Sequence, residues 1–209
     1  MPSFKYQGTN VSYIDGIGGS IWKHLEQSRW YEQQMLEYIS SLNRPGVYLD
    51  VGSNIGTHSV YFAMFCASTR VIGIEALPRH AQLATQFVEA NNLGHKATIL
   101  PVAVGEETGF LDAIHAIVEG EPRTFNALCV KIDDIAPSGI SVIKMDIEGA
   151  EPGALKGALK TLQRDKPLLF IEAGSDEDLA EIEEVIGPIG YKRTGKVFNA
   201  TPTYEFAMF

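Results

Sequence analysis

The stretch Val47-Tyr48-Leu49-Asp50-Val51-Gly52-Ser53-Asn54-Ile55-Gly56 constrains this chain more than any other. An apolar run ends in an acid, breaks into small residues, and resumes as His58-Ser59-Val60-Tyr61-Phe62-Ala63. That order predicts a strand, a tight turn and a helix. Gly52 and Gly56 reach backbone angles that larger residues resist, and they put no Cβ between the turn and a ligand. The helix that follows points free N–H groups at whatever sits on the turn.

The spacing narrows the ligand. A dinucleotide turn reads G-x-G-x-x-G, and its middle glycine lets the backbone approach a pyrophosphate. Here the pattern is D-x-G-x-N-x-G, from Asp50 through Gly52 and Asn54 to Gly56. Asp50 would repel a pyrophosphate but suits a ligand with a cationic or ammonium-bearing end. Nineteen residues after Gly56, the run Val71-Ile72-Gly73-Ile74 ends in Glu75. An acid at that point holds a ribose diol in nucleoside-binding α/β folds. The implied ligand has an adenosyl ribose, a positive group and no phosphate, a description that fits S-adenosylmethionine.

Alternating strands and helices frame these two sites. Strand 47–51 leads to helix 55–67, strand 70–75 to helix 78–92, and strand 97–104 follows. A helix over 151–165, a strand over 167–172 and a helix over 177–186 repeat the rhythm. Such alternation means βαβ units, a parallel sheet and right-handed crossovers. The chain closes on two strand-like runs, Tyr191 to Phe198 and Tyr204 to Phe209, joined around Pro202 as an antiparallel pair. Before the first glycine turn come a small hairpin within residues 3–15, a glycine joint over 16–19, and a short helix from Ser20 to Gln27. A longer helix then runs from about Trp30 to Ser41, with Tyr31, Met35, Tyr38 and Ile39 on one face. Residues 105–135 break the rhythm: Phe110 to Ile114 and Phe125 to Val130 read as strands around a polar loop, a natural substrate lid beside the cleft. The division expected is an N-terminal extension over 1–43, on the lid and substrate side, and a cofactor-binding domain over 44–209.

With 209 residues the chain is long enough for one sizeable core. Its net charge of −9, with no basic patch to offset it, argues against nucleic acid as the main partner. Two cysteines, Cys66 and Cys129, sit in apolar contexts and read as buried reduced thiols rather than a disulfide framework. No apolar leader opens the sequence and no stretch reaches membrane-spanning length, so a cytoplasmic protein is expected.

A second informative stretch is Ser141-Val142-Ile143-Lys144-Met145-Asp146-Ile147-Glu148-Gly149-Ala150-Glu151. Again an apolar strand ends in an acid, then a glycine turn and a helix follow. Ligands in such sheets lie at the carboxyl ends of the strands, so Asp146 and Glu148 are expected to face the same crevice as Asp50 and Glu75. Glu151 either joins them or serves the dipole of the first helical turn. Lys144, a cation inside an apolar strand, either pairs with one of these acids or reaches the rim.

Taken together, Tyr31-Glu32, the D-V-G-S-N-I-G turn, Glu75-Ala76, Pro101-Val102-Ala103-Val104, Ile132-Asp133-Asp134-Ile135 and I-K-M-D-I-E-G-A-E resemble the FkbM family of S-adenosylmethionine-dependent methyltransferases. The resemblance covers about residues 30–209. It implies a class I methyltransferase (Rossmann-like) α/β fold: a mostly parallel seven-stranded sheet, helices on both faces, and an antiparallel last strand. It also implies O-methylation, with S-adenosylhomocysteine as product and a sugar or small metabolite as acceptor. Residue by residue, Asp50, Gly52, Asn54 and Gly56 would lie under the methionine end of the cofactor. Glu75 would hold the ribose, with Ala76 and Leu77 against the adenine and Val102, Ala103 and Val104 lining its pocket. Tyr31 and Glu32 would close over the amino-acid end, and Asp146 and Glu148 would border the methyl group.

The base that takes the acceptor's proton is sought among Asp146, Glu148 and His58, with His115 a further candidate; position favours the two acids. His24, His80 and His95 have no partner at ligand spacing and read as surface residues. Asp146 and Glu172 end adjacent strands and could hold magnesium, but Glu172-Ala173-Gly174 is not the acid–amide pair that arrangement needs, so no metal ligand is assigned. Two other classes compete: an NAD-dependent oxidoreductase, disfavoured by the missing middle glycine, and a nucleotide-binding module that has lost its chemistry.

Overall fold

The computed structural model describes residues 1–14, 19–118 and 121–209, leaving aside the side chains of 113–118 and 121–123. The Gly16-Ile17-Gly18 joint and the side chain of His115 therefore lie outside the described residues. A hairpin of β1 (Ser3–Tyr6) and β2 (Thr9–Ser12) precedes α1 (Ser20–Glu26) and α2 (Gln33–Ser41). Then come β3 (Gly46–Val51), α3 (Thr57–Phe65), β4 (Ser68–Ile74), α4 (Pro78–Ala90) and β5 (Ala97–Leu100). An insertion follows: β6 (Ala103–Val104), β7 (Gly109–Val118), β8 (Glu121–Val130) and α5 (Ile132–Ile135). The chain ends with β9 (Ile140–Met145), α6 (Glu151–Lys156), α7 (Leu159–Asp165), β10 (Leu168–Glu172), α8 (Asp176–Ile186), β11 (Tyr191–Phe198) and β12 (Thr203–Met208).

The main sheet has seven strands in the order β11-β12-β10-β9-β3-β4-β5. Its β10, β9, β3, β4 and β5 run parallel, while β12 is antiparallel to both β10 and β11. The fold is thus a mostly parallel α/β sheet with an antiparallel final strand, as the sequence led us to expect. Chain order reverses between β3 and β9, so a crevice opens there at the carboxyl ends of the strands. Successive residues of the central strands face opposite ways. Tyr48, Val142 and Phe170 join one buried cluster with the N-terminal elements, α3 and α4. Their neighbours Leu49, Ile143 and Ile171 join another with α6, α7 and α8.

Helix α3 is buried on nearly all sides, from Thr57 to Ala63. A helix without a polar face must be covered, and here the N-terminal hairpin, α1 and α2 supply the cover. Trp30, fully buried, packs edge-on against Phe4, Tyr61 and Phe65 and lies parallel to Phe87. The described residues of 1–43 therefore share one core with the sheet.

Two expected elements are divided. The run 97–104 splits between sheets, because Pro101 has no N–H to continue a ladder. β5 ends the main sheet, whereas β6 pairs with β8 in a separate three-stranded sheet. The helix expected over 151–165 breaks into α6 and α7 at Gly157-Ala158. There the Gly157 carbonyl accepts from Asp133 N–H at 2.9 Å, and the Asp133 carboxylate takes the N–H groups of Lys160 and Thr161 at 3.1 and 2.7 Å. A Cβ on Gly157 would lie 2.0 Å from the Gly105 carbonyl oxygen. Asp133 thus ends one helix and caps the next. The insertion hairpin is longer than expected, with ten residues in each strand. Cys66 and Cys129 are free and buried, and no described helix is long and apolar enough to cross a membrane.

Candidate active site

The crevice is built on four acids that end parallel strands. Asp50 lies near the end of β3, Glu75 follows β4, Asp146 follows β9, and Glu172 closes β10. Gly52 sets how closely the first and third approach. Its φ is +78°, and a Cβ there would lie 1.8 Å from the Asp146 carbonyl oxygen. The contact is reinforced by Asp146 N–H donating to Val51 at 3.0 Å. Gly56, at φ +85°, begins α3, where a Cβ would press on Ala84 of α4 at 2.9 Å. The glycines therefore let the turn seat against β9 and let α3 pack on α4.

Glu75 organises the turn from the other side. One carboxylate oxygen accepts from Asn54 N–H and the other from Leu77 N–H, both at 2.8 Å. Gly52 and Ser53 donate in turn to the Ile74 carbonyl. Burial raises the Glu75 pKa against the pull of these N–H groups. Each oxygen keeps a lone pair, so the carboxylate is oriented and still able to accept from a diol. Asn54 sits at φ 48°, a left-handed position that asparagine tolerates. Leu77 is buried and Ala76 half-buried beside Glu75. Val104 belongs to the second core cluster, with Val102 packed against it and Ala103 half-buried at the start of β6.

Below the turn lies a charged group that the sequence shows only in part. Lys144 is buried in β9, in register with Asp50, and its Nζ is 3.1 Å from Asp146 Oδ2. Burial opposes its charge, but Asp146, Asp50 and Glu32 hold the ammonium pKa above its ordinary value. Asp146 shows the converse: burial would raise its pKa, but Lys144 holds it below the ordinary range. Asp50 is sealed from solvent, accepts from Ser59 Oγ at 2.6 Å, and has its pKa raised by burial.

Tyr31 and Glu32 close this group from above. Buried Trp30 anchors the segment, Tyr31 stacks on the His58 ring at 6.0 Å, and Glu32 takes a left-handed φ of 55° that turns the chain into α2. Glu32 Oε2 is 3.4 Å from His58 Nε2 without hydrogen-bond alignment. Burial, aided by Asp146 and Asp50 and opposed by Lys144, pushes the Glu32 pKa up to about 7. Burial and Lys144 push His58 down to about 3, so its imidazole stays neutral.

Five buried polar atoms here have no hydrogen-bond partner: Glu32 Oε2, Asp50 Oδ1, Ser53 Oγ, Thr57 Oγ1 and His58 Nε2. Unpaired buried polar groups are costly, and three of these belong to acids or to the turn that the strands present. The set fits a ligand bringing ammonium or hydroxyl donors.

Of the residues expected here, Tyr31, Glu32, Asp50, His58 and Asp146 form one cluster, and Gly52, Asn54, Gly56 and Glu75 make the adjoining turn. Glu148 is exposed on the turn after β9, at φ 56°. Glu151 is buried and accepts from Ile147 N–H at 2.7 Å, which fixes that turn. Sequence reasoning overlooked Ser53 and Thr57, left Lys144 open between pairing and the rim, and considered Glu172 only as a metal ligand. The signal for Glu172 was present, since Leu168-Leu169-Phe170-Ile171-Glu172 repeats the apolar run ending in an acid seen in β3, β4 and β9. Among the described residues no group of three or more His, Cys, Asp or Glu side chains is arranged to hold a metal.

The family model described as the methyltransferase FkbM domain matches residues 50–193. A solved structure described as methyltransferase FkbM from Methylobacillus flagellatus KT superposes with a TM-score of 0.61 at 24% identity, over 78% of this chain. The chain spans only 44% of that protein. An O-methyltransferase from Bacillus cereus, solved in complex with SAH, gives a TM-score of 0.57 at 16% identity over 84% of this chain and 78% of its own. The M1A22 tRNA methyltransferase of B. subtilis gives 0.53 at 15% identity over 84% and 63%. No curated protein matches the chain. At these identities the structures share a fold with this chain.

Proposed function

Because this chain belongs to the FkbM family of S-adenosylmethionine-dependent methyltransferases, we propose that it moves the methyl group of S-adenosylmethionine to a hydroxyl oxygen of a sugar or other small metabolite. The observation that carries the reading is the cluster of unpartnered buried polar atoms beside the glycine turn. Asp50 Oδ1 and Glu32 Oε2 suit the ammonium of the cofactor, and Ser53 and Thr57 its carboxylate at the start of α3. Glu75 receives the ribose hydroxyls, with Ala76, Leu77, Ala103 and Val104 about the adenine. When bound, the cofactor supplies an already activated methyl group.

The protein then has to hold the acceptor oxygen about 3 Å from that carbon, in line and away from water. Tyr31 and Glu32 close one side, and residues 1–43 with the β7–β8 hairpin are the lid and acceptor side of a domain formed by 44–209. Phe110 and Leu128, paired across that hairpin and exposed, offer an apolar surface for an acceptor. A net charge of −9 favours a small molecule or glycan over a polyanionic acceptor. A reducing cytoplasm suits the two free thiols.

Replacing Glu75 tests the cofactor site. Glu75→Ala should weaken S-adenosylhomocysteine binding by about 2–3 kcal/mol, the worth of charge-assisted bonds to the ribose and to the turn. Calorimetric affinities that match between variant and wild type would remove Glu75 from the site.

A further inference from the structure

We propose that Glu172 is the group that takes the proton from the acceptor hydroxyl, with Asp146 held beside it as a fixed carboxylate by Lys144. The inference rests on the methyl-transfer reading above. Strands β9 and β10 are parallel neighbours with Ile171 opposite Met145, so Glu172 and Asp146 leave the sheet side by side. Each carboxyl group acts on the other's protonation: Asp146 raises the proton affinity of Glu172, and Glu172 lowers that of Asp146. Two carboxylates side by side repel when both are ionised, so one of the pair keeps a proton. Lys144 decides whose proton it is, because its buried ammonium lies 3.1 Å from Asp146 Oδ2 and favours the anion there. The proton therefore belongs to Glu172.

The groups around Glu172 agree. Asp146 and Lys144 face it from β9, Glu32 and Tyr31 from the segment before α2, and uncharged Thr203 stands opposite it on β12. Asp50 of β3 and His58 of α3 act on the Asp146–Lys144 pair. Burial and the Asp146 charge together push Glu172 up to about 8, against the pull of Lys144. A base is most effective when it titrates near the working pH. By that standard Asp146, held below the ordinary carboxylate range, and His58, down near 3, are both too weakly basic. Access points the same way: Glu172 is half-buried and the Asp146 side chain is 24% exposed, while Asp50 and His58 are closed off.

In the step, the acceptor oxygen forms the new C–O bond while the S–C bond breaks and its electron pair stays on sulfur. The hydroxyl proton passes to an ionised Glu172 oxygen and later leaves to solvent. The products are the methyl ether and neutral S-adenosylhomocysteine.

Two measurements on the full chain test this. Carboxyl 13C resonances of glutamate-labelled protein should include one with a midpoint near 8 that disappears in Glu172→Gln. Loss in the variant of only a resonance titrating below about 6 would overturn the proposal. Transfer from methyl-labelled S-adenosylmethionine to a panel of monosaccharides and phenols gives the second readout. The wild-type rate should rise with pH through the same midpoint, and Glu172→Gln should lower it about 100-fold or more and flatten the rise, with S-adenosylhomocysteine affinity within about twofold. An unchanged pH profile in the variant would also overturn it. Failure of S-adenosylhomocysteine to bind wild type would instead strike the methyl-transfer reading, whatever the Glu172 midpoint.

Discussion

Lys144 explains how so many acids can share one crevice. It is the buried cation among Glu32, Asp50, Asp146 and Glu172, and it stabilises one carboxylate outright while the others hold protons more tightly than usual. This has a consequence for stability. Glu172, at about 8 in the folded protein against an ordinary 4.5, binds its proton more tightly folded than unfolded. Its contribution is therefore full below the ordinary value and is lost as pH rises through about 8. Glu32, at about 7, adds to that loss. His58 runs the other way: at about 3 against an ordinary 6.5, it makes the fold less stable as pH falls below 6.5. Thermal melting of the ligand-free protein should accordingly decline from pH 6.5 to 9, and Glu172→Gln should decline less over that interval. Parallel melting curves for the two proteins across it would contradict the assignment. Asp50, Glu75 and Asp146 were legible in the sequence because each ends an apolar run at a place where the topology puts ligands. The partnership of Lys144 with Asp146, and the placing of Glu172 beside them, depend on strand register and could not be read from spacing.

Trp30 and Asp133 show how single residues govern whole elements. Trp30 ties the segment before α2 into the core over α3, and the next two residues, Tyr31 and Glu32, are thereby set against His58. Truncation to alanine should cost about 3–5 kcal/mol, measured by denaturant unfolding. It should also weaken S-adenosylhomocysteine binding, because the closing segment loses its anchor. Full affinity in a folded Trp30→Ala protein would mean that Tyr31 and Glu32 do not contribute. The strands and helices around the two glycine turns were legible because apolar runs, acids and small residues alternate so regularly there. The break between α6 and α7 was signalled only by Gly157, since a glycine inside a helix costs no more than about 1 kcal/mol and does not by itself end one. What breaks it is distant in sequence: the Asp133 cap and the close approach of Gly157 to Gly105. The division of 97–104 between two sheets was signalled only by Pro101.

The molecule as a whole places its functional groups by topology. Five parallel strands deliver their carboxyl ends to one rim, the order reverses between β3 and β9, and the N-terminal elements cover the helix that rises from the first turn. The parallel sheet and its rim followed from alternation and from the family pattern, whereas the packing of the N-terminal elements over α3 did not. The insertion of β6, β7 and β8 stands apart as a sheet of its own, and it is here, with the N-terminal cover, that the acceptor would be chosen. Calorimetric titration of the purified chain with S-adenosylhomocysteine, beside NADH under the same conditions, goes straight to the central claim. The account predicts one molecule of S-adenosylhomocysteine bound per chain and no heat from NADH. Binding of NADH in its place, or of neither, would contradict it.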